Sequence, residues 1–288
     1  MTRPLPRRLV AAGLLAVATM GAAAAGEARP ERLKIGLLPG ESSLTVMRLN
    51  EPLRRYLEAK LGLPVELQVG TNYAATGEAL RFGRLDIAYL GPVTYVLQRE
   101  KAEIVLFATP SHAKVGAFFE AAIIVPADSR ATTLKDLAGT EIVFGDPAST
   151  SGTWVPRYEL LEAGMRAGRD YQAHYLGAHD AVALAVANKK AAAGGISRPI
   201  YERLLAEGKI DPAKVRMLMA TRPIPEYAWT FRAGLDPVFR QKIADAFFSI
   251  DDPAVLGVFN AERFIPSTDS DMEPVRRWVD ALRERAMN

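Results

Sequence analysis

Ser149, Thr150 and Ser151 are three consecutive hydroxyl residues, preceded by Gly145-Asp146-Pro147-Ala148 and followed by Gly152. Ser and Thr are poor choices inside a helix and good ones at its start, where a side-chain oxygen satisfies an otherwise free amide. A helix start also carries unpaired N–H groups and the positive end of the dipole. With hydroxyl donors added, it makes a cradle for an anion. Gly152 lets a ligand approach the backbone closely. A cap needs only one such residue, so a run of three points beyond capping to an oxyanion. The run differs from a P-loop, because no Lys follows the glycine and the spacing is wrong.

Other candidates sit at comparable places. Tyr73 follows Asn72, and Thr94 and Tyr95 follow the Gly91-Pro92 turn, with Thr94 or Tyr95 read as opening a helix. Phenols at strand-to-helix junctions can donate to an oxyanion and offer ring faces to a small organic tail, although a single Tyr in such a place is more often packing. His179 stands before an apolar helix over 180–188. From there its ring can donate to an anion or act as a surface cap, while Asp180 complements the helix dipole. His112 and His174 lack metal-ligand spacing and read as structural. No metal or cofactor is expected. There is no Cys, hence no thiol nucleophile, disulfide or thiolate site, and no G-x-S-x-G elbow. A hydrolase is therefore the weakest reading, and no catalytic residue is assigned.

The elements that must position these residues alternate. Short apolar runs at 33–38, 65–69, 87–90, 104–108 and 117–125 read as strands, with helices over 46–60 and 74–82 between them. A second set follows: strands at 141–144, 174–176 and 192–196, and helices over 154–163, 180–188 and 198–207. This order predicts two α/β lobes built on parallel sheets with helices on both faces. Segments 112–119 and 222–230 read as crossings between lobes. The expected domains are 30–115 for the first part of lobe 1, 116–225 for lobe 2, and 226–288 returning to lobe 1 with two amphipathic helices. Ligands of open parallel sheets bind beyond the carboxyl ends of the strands, and two such lobes can close on one by a hinge.

The N-terminus addresses the compartment. Arg3, Arg7 and Arg8 precede an apolar run from Leu9 to about Ala18 and an A-x-A site within Ala22–Ala25. That is the layout of a secretory signal peptide over residues 1–25, and the apolar run is about half the length of a membrane span. It also accounts for the basic pI of about 9.1. Of 36 Lys and Arg, three fall in this segment, which leaves 33 against 33 Asp and Glu, a formal charge of zero. A nucleic-acid partner loses its main support, since such binding needs concentrated positive surface. With no Cys to lipidate, the exported chain is expected to be free in the periplasm, and monomeric.

LKIGLLP, TNYAATGEALRFGRLDIAYLGPVTYV, the LKDLAG to IVFGDPASTSG run, GAHDAVALAV and RPIPEY occur in that order. Over about residues 33–250 this resembles the substrate-binding proteins of phosphonate, phosphite and phosphate ABC importers. The resemblance implies a two-domain, type II periplasmic binding protein fold and a membrane permease as partner. It also implies a phosphoryl cradle at Ser149, Thr150 and Ser151, with Tyr73, Tyr95 and His179 as further contacts. Members that bind aminoalkylphosphonates place an acid after a Gly-Lys-like turn, and here that position reads as Ala192. Unless Asp180, Glu41 or Glu226 substitutes for it, a ligand without an amine is expected, because a buried ammonium needs a partner. A sensory module for a membrane receptor and a binder of a sulfonate stand as the other readings.

Overall fold

The computed structural model describes residues 30–287, so the targeting segment read over residues 1–25 lies outside the described residues. In chain order the elements begin β1 (Leu33–Leu37), α1 (Ser43–Leu61), β2 (Val65–Val69), α2 (Tyr73–Arg81), β3 (Ile87–Leu90), α3 (Pro92–Arg99) and β4 (Val105–Ser111). They continue β5 (Phe118–Phe119), β6 (Ala121–Pro126), β7 (Glu141–Phe144), α4 (Val155–Glu162), β8 (Gln172–Tyr175), α5 (His179–Ala187), β9 (Ala193–Ser197), α6 (Arg198–Ala206) and β10 (Val215–Ala220). Last come β11 (Ile224–Pro225), β12 (Ala228–Phe231), α7 (Pro237–Phe248), α8 (Pro253–Val258), β13 (Arg263–Pro266) and α9 (Glu273–Met287).

Two sheets result. One has the order β13-β4-β12-β3-β1-β2, the other β10-β6-β9-β7-β8, and the pair β11-β5 joins them. Burial follows the period-two rule of a strand covered on both faces. Leu33, Ile35 and Leu37 of β1 pack with Leu53 and Leu57 of α1 and with Phe239, Ile243 and Phe247 of α7. Ala88 and Leu90 of β3 face the other way, into Leu80, Val93, Val96, Val275 and Val279. The second sheet repeats the plan, with Val182 and Val186 on one side and Val125, Phe144 and Leu160 on the other.

The expected all-parallel sheets are in fact mixed. β12 lies antiparallel between β3 and β4, and β6 lies antiparallel to both β9 and β10. The reason is the route of the chain. It returns from the second sheet at the carboxyl end of β3, pairing Ala228 with Leu90 first, and so must run backwards to Phe231 beside Ile87. α8 and β13, short and weakly periodic, were not foreseen by the sequence pattern.

Candidate functional site

Most residues of interest follow the carboxyl ends of β1, β2, β3, β7, β8 and β9, while Glu226 and Tyr227 lie between β11 and β12. Ser149, Thr150 and Ser151 follow β7 and have no exposed surface at all. An α-helix does not follow directly, as the sequence had suggested. Residues Thr150–Trp154 form a π-helical turn, and α4 begins only at Val155. Ser149 caps that turn, its Oγ accepting from the Gly152 amide at 3.1 Å. Capping is therefore part of its role, with the hydroxyl proton left to donate. Gly152 is required for a reason beyond ligand approach: a Cβ there would stand 2.9 Å from His179 Cε1 and 2.9 Å from Ser149 Oγ.

Several contacts hold the lobes closed over this loop. Asp146, 6% exposed, accepts from the Tyr73 amide at the start of α2 (3.0 Å) and from the Ala148 amide (2.7 Å). The Val93 amide donates to Thr150 Oγ1 at 2.9 Å, and Thr94 Oγ1 donates to the Ala148 carbonyl at 3.1 Å. The His179 amide donates to the Gly40 carbonyl at 2.9 Å. Arg203 on α6 pairs with the buried carboxylate of Glu41 across the cleft. Burial raises the Glu41 pKa while Arg203 opposes that rise.

The donors converge from both lobes. The Tyr73 phenol, 1% exposed, interacts with Ser149 and with Tyr227, and the Tyr227 phenol with Ser151, Tyr73 and Ser149. Burial raises both phenols, that of Tyr227 to about 12, so each keeps its proton to donate. Ser151 Oγ faces the Tyr227 phenol, yet it is buried and makes no hydrogen bond of good geometry. His179 is 1% exposed, and burial lowers its pKa to about 4, so the ring is neutral at pH 7. Its Nδ1 accepts from the Ser197 amide at 3.2 Å, which places the ring proton on Nε2. The neutral imidazole is thereby a donor with no free lone pair.

The remaining sequence candidates divide. Tyr95 is not part of the cluster: α3 starts at Pro92, so Tyr95 falls a turn later and its hydroxyl donates to Asp269 Oδ1 at 2.6 Å. Tyr227, at the end of the RPIPEY crossing, takes the place expected of it. Thr94 and Thr150 work as clasps between the lobes. Asp180 accepts from the neighbouring Ala181 amide at 2.9 Å. Glu226 lines the cleft, its Oε2 on His112 Nε2 at 2.8 Å and its Oε1 on the Tyr227 amide at 2.8 Å. Since His112 Nδ1 also meets a carbonyl, that of Asn260 at 2.8 Å, both ring nitrogens face acceptors and the His112 pKa is raised, chiefly by Glu226.

Ala192 requires a correction. Its amide bonds to the Glu141 carbonyl, at the amino ends of β7 and β9, whereas the residue of β9 at the cleft is Ser197. Five residue steps separate them, about 16 Å at ~3.3 Å per residue. Ala192 therefore has no bearing on the ligand's tail.

Beside the cradle, and sharing Gly40, Tyr73 and Tyr227 with it, lies a cavity of about 490 Å³. Among the described residues no group of three or more His, Cys, Asp or Glu is placed to hold a metal ion.

The chain is 25% identical over 272 residues to the phosphonates-binding periplasmic protein of Escherichia coli, covering 92% of this chain and 80% of that one. To a Mycolicibacterium smegmatis protein named phosphate-import protein PhnD it is 26% identical over 278 residues, with 88% and 87% covered. Its fold superposes with a TM-score of 0.81 on the structure of PhnD1 from Prochlorococcus marinus in complex with methylphosphonate, at 22% identity over 88% of this chain and 99% of that one. Residues 35–272 match the family model described as ABC transporter, phosphonate, periplasmic substrate-binding protein, and the protein belongs to that family.

Proposed function

We propose that the protein captures a phosphorus oxyanion, a phosphonate, phosphite or phosphate, between its two lobes in the periplasm and presents the closed form to the permease of an ABC importer. The observation that carries this is Ser151 Oγ, a buried hydroxyl with no good partner, set beside the protonated phenols of Tyr73 and Tyr227. A buried polar atom left unpaired costs about 1–3 kcal/mol, and an anion held among these donors removes that cost. Ser149, the Nε2–H of His179 and the first amides of the π turn complete a shell made of donors. Binding rather than turnover is supported by His179. A general base needs a free lone pair near neutral pH, and the one on Nδ1 is already taken by the Ser197 amide.

A thermal-shift panel of phosphite, phosphate, methylphosphonate, 2-aminoethylphosphonate and sulfate tests this reading. At 100 times its Kd a ligand stabilises the fold by about 2.7 kcal/mol. The expected result is a rise in Tm with one or more phosphorus ligands and none with sulfate. A rise with sulfate alone would replace phosphorus by sulfur in the account.

A further inference from the structure

His112 is the first residue after β4, where the chain leaves the first sheet, while Glu226 and Tyr227 lie between β11 and β12, where it comes back. The His112 ring ties the two crossings together. Its side chain is 14% exposed, with Nε2 on Glu226 Oε2 and Nδ1 on the Asn260 carbonyl, each at 2.8 Å. A neutral imidazole has one N–H, so one of these contacts would set a lone pair against an oxygen. Only the imidazolium donates to both. The hydrogen bond to Glu226 outweighs the cost of burial and raises the His112 pKa above 6.5.

Glu226 carries the effect to the cradle. Its other oxygen, Oε1, accepts from the Tyr227 amide at 2.8 Å, and Thr109 Oγ1 donates to the Tyr227 carbonyl at 2.8 Å. The Glu226 charge is felt at the phenols of Tyr89 and Tyr227, adding to burial in raising both. With His112 charged, the His112–Glu226 pair is neutral. Without that proton, a bare carboxylate adjoins the residue whose phenol meets Ser151, and it repels an oxyanion.

We propose that His112, as an imidazolium, is a positioning residue for ligand capture, fixing the carboxylate that holds Tyr227 and cancelling its charge beside the oxyanion. This rests on the cradle reading above and adds a pH dependence to it: affinity falls as rising pH takes the proton from His112. Other charged groups border the ring. Glu41, Glu120 and Glu202 are each paired with an arginine, and Lys114 and Glu262 line the neighbouring groove. Among these charges, Glu226 is the one that acts on the His112 proton.

Calorimetric titration of phosphate and of methylphosphonate into the wild type, His112→Gln and His112→Gln/Glu226→Gln at pH 6 and pH 9.5 tests the proposal. The ratio of affinities at each pH removes the ligand's own titration. At pH 6 His112→Gln should bind about tenfold more weakly than the wild type, and at pH 9.5 the two should agree within about twofold. The double variant removes both charges yet keeps an acceptor for the Tyr227 amide. It should recover most of the loss at pH 6, which lost packing at His112 would not allow. A second measurement needs no variant: the chain has three histidines, so NMR can follow each ring. By reciprocal linkage, a tenfold preference means that methylphosphonate raises the His112 pKa by about one unit. Equal affinity of the wild type and His112→Gln at pH 6, or a His112 pKa unmoved by the ligand, overturns the role of His112 while the cradle reading stands. If the wild type binds neither ligand at either pH, the cradle reading fails and this proposal with it.

Discussion

His179 shows how much one residue's burial decides. With its ring out of water and its pKa lowered to about 4 from 6.5, the folded chain holds one proton fewer than the unfolded chain between those values. Stability therefore rises with pH across that window, and its loss toward pH 4 amounts to about 3 kcal/mol from this group. A His179→Gln variant lacks that term. Urea unfolding from pH 7 down to pH 4.5 should show the wild type losing stability faster than the variant, and parallel curves would mean that His179 is not buried neutral. At this scale the place of the hydroxyl run and of His179 just after strand ends was legible in the sequence, whereas the burial that rules out a surface cap at His179 was not. Tyr95 was misplaced because the Gly91-Pro92 turn was read as ending later than it does: Pro92 takes the first helical position itself. That turns Tyr95 away toward Asp269. Tyr227 sat in a motif read only as a crossing, with no periodicity to show which way its ring points.

At the scale of elements, Asp146 joins Thr150 in clasping the two lobes. Its carboxylate stands at the amino end of α2, where the dipole favours negative charge, and bonds amides belonging to both lobes. Asp146→Ala would leave the Tyr73 and Ala148 amides without that acceptor in the closed form, at about 1–3 kcal/mol each. Small-angle scattering of ligand-free protein should show a larger radius of gyration for the variant, and phosphonate affinity should fall on the order of tenfold or more; an unchanged radius with unchanged affinity would deny Asp146 its role as a clamp. The Gly-Asp-Pro turn was visible in the sequence, but a carboxylate that clamps two lobes was not, because its partner Tyr73 lies 73 residues away. The π turn at Thr150–Trp154 was equally hidden: helix-forming pattern does not separate it from the first turn of an α-helix. The placement of Ala192 failed for a related reason, since residue spacing alone does not say which end of a strand faces the cleft.

Over the whole molecule, alternating strands and helices were enough to foresee two α/β sheets and a site beyond their carboxyl ends. They did not foresee strand direction, which depends on where the chain re-enters each sheet. The closed arrangement joins donors from both lobes around one point: Ser149 and Ser151 with His179 from one, Tyr73 from the other, and Tyr227 just past the crossing. Such a shell does its work only when all of it is assembled, so ligand affinity reads both the cradle and the closure. Ser151 isolates the cradle, because its hydroxyl lacks a good partner within the protein, so that Ser151→Ala should leave the Tm of the ligand-free protein unchanged or slightly raised. A hydrogen bond to a charged group contributes about 1.5–3 kcal/mol, or roughly 10- to 150-fold in affinity. The most direct measurement is calorimetric titration of methylphosphonate into the wild type and Ser151→Ala at pH 7. Binding to the wild type and a loss of at least about tenfold in the variant at unchanged Tm are expected. Equal affinity in the two proteins would contradict a phosphoryl cradle that includes Ser151.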